Sequence, residues 1–451
     1  MTGRTGPKLE TLAAEMLDAA RAAGADGADA LVVAGTAMSV DVRAGALEHV
    51  ERADGIDLGL RVLVGQRQAC VSVSDTARDT IRTMAERAVA MAREAPVDPH
   101  AGLADPGQLA HDRDPARLEL CDPGPEPRPD TMLAAALRTE AAALKPGIAQ
   151  VDQASAAWSR RSLFLAASNG FAGGYARTTH SLSCVAITGA GTAMERDWAA
   201  ESRVFGADLP EPEAVGALAA ERTLARAGAR RPPTGQFPVL YDERVAASLI
   251  GHLLSAINGT AIARGASWLR DALGQPVLPR GIDLVEQPLR PRGPASRPFD
   301  AEGLPVQERA LVADGILQGW VLDLGTGRKL GLPSTGNAAR GTSAPPAPTV
   351  SNVTVTPGTS ARDDLIAAMG RGLLVTSFLG ATVNPTTGDY SRGASGFWVE
   401  NGQIAYPVNE CTVAGNLRDM LRRILPANDA RPHAAHRVPS LLVEGLTLAG
   451  G

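Results

Sequence analysis

Apolar positions near the start of the chain recur at helical spacing. Leu9, Leu12, Ala13, Met16 and Ala20 share one face, and Gly24 closes the element. The period then changes. Ser39, Val40, Asp41, Val42 and Arg43 alternate polar and apolar, as a half-buried strand does. Residues 58–64 and 69–73 predict a hairpin turning around Gly65, Gln66 and Arg67. Asp75 suits an N-cap, and Ile81, Met84, Ala85, Ala88 and Met91 mark the buried stripe of the helix that follows.

Between Pro96 and Pro129 eight prolines erase this periodicity, which predicts a domain boundary or an ordered surface connection. A second helix-flanked unit follows. It has a helix over 131–144 capped by Asp130, strands over 153–158 and 162–167, and a turn at Asn169-Gly170. A strand region over 175–187 and a helix over 211–226 complete it, and residues 230–235 form a linker. Beyond Phe237 short strands dominate, at 316–322, 373–379 and 397–399, with helices only at 242–257 and 361–369. The expected fold is α+β: helix-flanked antiparallel sheet units over 1–115 and 116–233, then a mostly β, sandwich-like or barrel-like domain over 234–451.

Composition narrows the function. A chain of 451 residues, 44% apolar and 21% charged, has the balance of a globular protein. Its net charge of −5 argues against a nucleic-acid binder that works by general electrostatics. No stretch reaches the roughly 18 apolar residues of a membrane span. Met1 to Lys8 is polar, without the basic-then-apolar layout of a signal peptide. Cys70, Cys121, Cys184 and Cys411 form no CxxC pair, which suits reduced thiols in the cytoplasm.

Common catalytic motifs are missing: no phosphate loop, no GxSxG elbow and no HExxH helix. Only His433 and His436 lie close among seven histidines, with no third ligand beside them. His180 and Cys184 share a strand face but sit about 13 Å apart along it, too far to coordinate one ion. Glu195 and Asp197 share a face if extended, as an acid/base pair would, although a solvated strand edge uses the same charges. The densest polar stretch, 387–402, contains Gly388, Asp389, Tyr390, Ser391, Arg392 and Gly393. Read as a loop, its glycines let backbone donors approach a peptide, and Arg392 takes a carboxylate. Read otherwise, it is an irregular β connection.

This stretch, with Tyr406-Pro407-Val408-Asn409-Glu410 and Ala414-Gly415-Asn416-Leu417, resembles the PmbA (TldE) branch of the TldD/PmbA family. So do residues 177–183, Met194-Glu195-Arg196-Asp197, Pro298-Phe299-Asp300-Ala301-Glu302-Gly303, Arg328-Lys329-Leu330-Gly331, and Asp54-Gly55 through Val64 followed by Ser74-Asp75. The matches run in order along nearly the whole chain. The resemblance implies a cytoplasmic metallopeptidase of two related subunits, described through effects on DNA gyrase inhibitors, that cleaves flexible or modified peptides. It also implies that the C-terminal domain is the metallopeptidase-type domain.

In such a pair the TldD-like subunit carries zinc, through an HExxxH helix and a late cysteine. Here the six motif positions read Ala247-Ser248-Leu249-Ile250-Gly251-His252, and Val438 falls near the cysteine position. The resemblance therefore implies no catalytic residue, metal or cofactor in this chain. His252 is left as a vestigial metal position, packed on the stripe of Val245, Leu249, Leu253 and Ala256. Zinc belongs to a TldD-like partner, and a homodimer is the form open to the chain alone. Candidates for binding substrate or partner are Gly388, Asp389, Tyr390, Ser391, Arg392, Gly393, His180, Glu195, Arg196 and Asp197. Two alternatives stand beside this reading. One is an autonomous hydrolase using Ser183 or Ser391 with Glu195 or Asp389; the other is a regulatory binding protein without a peptidase role.

Overall fold

Six antiparallel strands form one sheet across the first half of the chain. The computed structural model describes residues 8–450, so the reading of the extreme N-terminus lies almost wholly outside the described residues. The strands are β1 (Gly27–Arg43), β2 (Ala46–Val64), β3 (Arg67–Val73), β4 (Ile148–Ala167), β5 (Ala172–Thr188) and β6 (Glu195–Arg203), in the order β3-β2-β1-β4-β5-β6. β1 and β4, from opposite sides of the proline-rich connection, pair from Asp29 opposite Ala167 to Val42 opposite Ala154.

Period-two burial explains how this sheet is covered. Ala30 and Val32 of β1 face α1 (Leu9–Ala22) and α2 (Arg78–Glu94), in a core with Leu12, Met16, Leu60 and Ile81. Val40 and Val42, on the same face, meet α3 (Pro129–Ala143) and α4 (Pro212–Ala225). Leu31 and Val33 point the other way, into a core with Leu165, Phe171, Phe299 and Leu324 that joins the sheet to the C-terminal half.

Several boundaries differ from expectation. Asp75 does not cap α2: Ala77 is the N-cap residue, and Asp75 instead accepts from the Ala77 N–H and the Thr80 hydroxyl just ahead of the helix. Met91 is exposed, because the buried stripe centres on Ile81, Ala85, Ala88 and Ala92, about a quarter turn away. Pro129 opens α3 at its first helical position, where its missing N–H costs nothing, so Asp130 lies inside the first turn and is not a cap. The two strands foreseen at 153–158 and 162–167 are one. The polar break at Arg160-Arg161 falls where the sheet passes from one helix pair to the other and both side chains are exposed.

The C-terminal half resolves the sandwich-or-barrel expectation as a barrel. Strands β7 (Gly235–Tyr241), β8 (Gly372–Val383), β9 (Asp389–Glu400), β10 (Gln403–Asn416) and β11 (Leu441–Ala449) run β10-β9-β8-β7-β11. β11 then pairs back onto β10 through Thr412–Ala414, which closes a five-strand ring. α5 (Glu243–Ala256) follows β7 and packs Leu249, Ile250 and Leu253 into the same core as Val375, Trp398 and Val413. Only Ile316–Leu317 of the expected strand 316–322 is a strand; Trp320 and Leu322 are buried coil and Val321 makes a single parallel bridge to Asn258, which an apolar run alone does not distinguish from a strand. Among the described residues no helix is long and apolar enough to cross a membrane. The fold is α+β.

Candidate functional site

The helix that follows the first barrel strand carries the six positions singled out in sequence. Asp242 caps α5 by accepting the Arg244 N–H, and the buried face is Ala246, Leu249, Ile250, Leu253 and Leu254. His252 lies on the flank of that face rather than within it, and is only half buried. Its ring meets Tyr390 edge-on at 5.8 Å, and its Nε2 is shielded from solvent without a hydrogen-bond partner. Burial, with the Arg392 charge adding to it, holds His252 below the ordinary histidine range, so the ring is neutral at pH 7.

Arg392 of β9 completes this group. Its Nε donates to the Gly380 carbonyl at 3.0 Å, its Nη1 reaches Ser248 Oγ at 3.4 Å, and the guanidinium lies 4.2 Å over the Phe378 ring. The buried Tyr241 and Tyr390 hydroxyls influence one another's ionisation, yet neither makes a hydrogen bond of ordinary geometry. Burial is the main cause that raises both phenols. Tyr241 and Ser248 were not foreseen as members, and no spacing in the sequence marks them.

These residues do not fit a zinc site. A catalytic zinc needs about three protein ligands, and His252 is the one nitrogen ligand α5 presents. Val438 is buried in the apolar core. A fixed guanidinium beside Ser248 opposes a cation and suits an anion. Among the described residues no group of three His, Cys, Asp or Glu is arranged to hold a metal.

The stretch 388–396 is not a loop. β9 is hydrogen-bonded to β8 on one side and β10 on the other, so most of its backbone donors are used in the sheet. Its glycines serve packing: a Cβ on Gly396 would lie 1.9 Å from the Leu374 carbonyl, and Gly388 has φ of +83° in the turn. Asp389 holds the Thr387 hydroxyl at 2.6 Å and Asn416 Nδ2 at 3.1 Å, which keep its carboxyl low. Among 388–393, Arg392 is the side chain with charge left to offer.

Glu195 and Asp197 are neither a solvated edge nor an acid/base pair. Asp197 is buried and meets Arg244 of α5 at 3.1 Å and Arg226 at 3.7 Å. Glu195 meets Arg226 at 3.4 Å and accepts from Asn409 of the barrel at 2.9 Å. Arg226 also donates to Ser395 of β9. The whole group ties the edge strand β6 to α5 and the barrel, while Arg196 between the two acids is exposed. His180, on β5, sits 3.4 Å from Asp122, and burial lowers it despite that carboxylate. Neither group makes a hydrogen bond or ion pair with Ser248, His252, Tyr390 or Arg392 among the described residues.

A second cluster gathers motif residues from distant parts of the chain. A cavity of about 340 Å³ between the first sheet and the C-terminal half is lined by Arg61, His100, Glu302, Asp323 and Lys329, among others. Glu302 Oε2 accepts the Leu324 N–H at 2.8 Å. Burial, with the Asp300 and Asp323 charges, pushes the Glu302 carboxyl up to about 8. A carboxyl raised in the fold contributes stability fully below about pH 4.3, and that contribution is lost as pH rises through about 8. Urea unfolding should therefore show the native chain losing about 3 kcal/mol between pH 6 and pH 9 from this group. The same titration on Glu302→Gln should lack that component; an identical slope in both proteins would refute the assignment.

Fold and site together define an α+β chain whose C-terminal half is a five-strand barrel, with His252 as the one histidine on its α5 helix. Three family models cover it in order: PmbA/TldA metallopeptidase domain 1 over residues 28–92, the central domain over 122–227, and the C-terminal domain over 234–450. The chain belongs to the PmbA/TldD metallopeptidase family. It is 38% identical to the metalloprotease PmbA of Escherichia coli O157:H7 over 429 residues, 94% of this chain and 92% of that protein. It is 36% identical to the PmbA homolog of Haemophilus influenzae, with the same shares covered. A Bacteroides thetaiotaomicron structure bearing the name "modulator of DNA gyrase" superposes with a TM-score of 0.90 at 27% identity, covering 98% of each chain.

Proposed function

We propose that this chain is the PmbA/TldE-like subunit of a two-subunit, TldD–TldE-type peptidase of the cytoplasm, and that it holds no zinc itself. In this reading it binds flexible or modified peptides and assembles with a TldD-like subunit that carries the metal. The observation that supports it most is the α5–β9 site: one neutral imidazole, His252, with the Arg392 guanidinium where further ligands would be needed. That site favours a peptide carboxylate over a cation. Four free cysteines, none in a disulfide, accord with a reducing compartment. An autonomous hydrolase gains no support, because the oxygens of Glu195 face Arg226 and Asn409, and those of Asp389 face Thr387 and Asn416.

The test is metal content and peptide cleavage for the purified chain, alone and co-expressed with a TldD-like subunit. We expect no stoichiometric zinc alone and cleavage only from the pair. Arg392→Ala in the pair should lower cleavage of subsaturating peptide by about tenfold, the worth of one charge-assisted contact. One equivalent of zinc on the isolated chain, or chelator-sensitive turnover by it, would overturn the reading.

A further inference from the structure

Arg161 and Arg177 stand directly opposite one another on β4 and β5. The next pair on the same face is Leu163 and Tyr175, and Leu31 and Val33 of β1 continue the file across the sheet. Like charges on directly paired positions repel unless something neutral or negative intervenes. Arg177 spends its guanidinium on the carbonyls of Gly293, Pro294 and Ser296. Arg161 is exposed and has no hydrogen bond or ion pair among the described residues.

Over this file the C-terminal half leaves a cavity of about 240 Å³, roofed by Arg297, Phe299, Ala339 and Arg340. Both roof arginines are incompletely satisfied: Arg297 Nε and Arg340 Nη2 are sealed from solvent with no hydrogen-bond partner. The Arg340 side chain is 0% exposed, although its Nη1 pairs with Asp29. Leaving buried guanidinium N–H groups unpaired is costly, because each loses its water without gaining an acceptor. The one carboxylate lining the cavity, Asp300, already accepts the N–H groups of Glu302, Leu304 and Ala338. The cavity therefore combines aliphatic and aromatic walls with four arginines against one carboxylate, and its lining includes no residue of α5 or β9.

We propose that this cavity binds a small carboxylate carrying an apolar chain, either the C-terminal end of a short peptide or a medium-chain fatty acid. The apolar chain lies against Leu31, Val33 and Phe299. The carboxylate accepts from Arg161 at the mouth, in the planar geometry that guanidinium and carboxylate share, within the positive field of Arg177, Arg297 and Arg340.

Titration calorimetry on the full chain tests this without any partner or cleavage, so its outcome is separable from that of the peptidase reading. The probes are N-acetyl-leucyl-leucine, its C-terminal amide, and octanoate. We expect saturable one-site binding of at least one acid, with the amide weaker than the peptide acid by about tenfold. Octanoate binding more tightly than the peptide assigns an acyl ligand; the reverse assigns a peptide terminus. Arg161→Gln, at an exposed position that leaves the core intact, should weaken the bound acid by about fivefold. No saturable heat from either acid up to millimolar concentration, equal binding of peptide acid and amide, or no effect of Arg161→Gln would each overturn the proposal.

Discussion

Asp197→Ala is expected to cost about 4 kcal/mol of unfolding free energy, the range for removing one partner of a buried ion pair. The side chain is 6% exposed, and the guanidiniums it neutralises, Arg244 and Arg226, are 9% and 12% exposed. Without Asp197, Arg244 keeps only Asp242, and Arg226 keeps Glu195 and the Ser395 hydroxyl. Two positive charges would then remain close together in a place that water reaches poorly. Urea unfolding midpoints measure the effect, and a loss under about 1 kcal/mol would mean that the site is far wetter than its burial implies. The paired replacement Asp197→Leu with Arg244→Met should recover part of the loss, since it removes the stranded charge together with its partner.

The second large effect is expected at Gly396. An alanine Cβ there would stand 1.9 Å from the Leu374 carbonyl, a backbone atom that cannot swing aside as a side chain can. Accommodation requires β8 and β9 to separate beside Trp398, which is 1% exposed. We expect Gly396→Ala to lose about 3 kcal/mol, at the upper end for overpacking a core. Gly251→Ala is the matched control: its Cβ meets nothing within 4 Å, and it lies inside α5. That variant should gain up to about 1 kcal/mol from helix propensity. Similar losses in both would remove the steric argument.

Local periodicity carried much of the fold. The stripe of α1, the hairpin around Gly65-Gln66, the turn before β5 and the extents of α4 and α5 all follow from patterns within a few turns of chain. Features set by distant pairing were not visible. The barrel closes when Phe237 meets Leu446 and Val413 meets Leu448, and nothing near either residue encodes its partner. The same cause explains why the stretch at 388–396 stayed open between a loop and a β connection. Its glycines and hydroxyls are loop-like by composition, but strands on both sides turn it into a sheet interior. Tyr390 and Arg392 were legible as candidates; Ser248 and Tyr241 were not, because they come from α5 and β7. Glu195 and Asp197 stood out as an unusual pair of acids, but their role depends on Arg226 and Arg244, and only the fold brings those near. Glu302 sat beside Asp300 in a quoted motif, with no local sign that Asp323 and Arg61 would join them.

The first sheet has a practical consequence for handling the protein. Its two middle strands, β1 and β4, come from opposite sides of the proline-rich connection and are joined along most of their length. A protease that nicks the chain between residues 96 and 129 would cut the covalent path and leave that seam zipped. Such a preparation would run as two fragments on a denaturing gel while migrating as an intact particle by gel filtration.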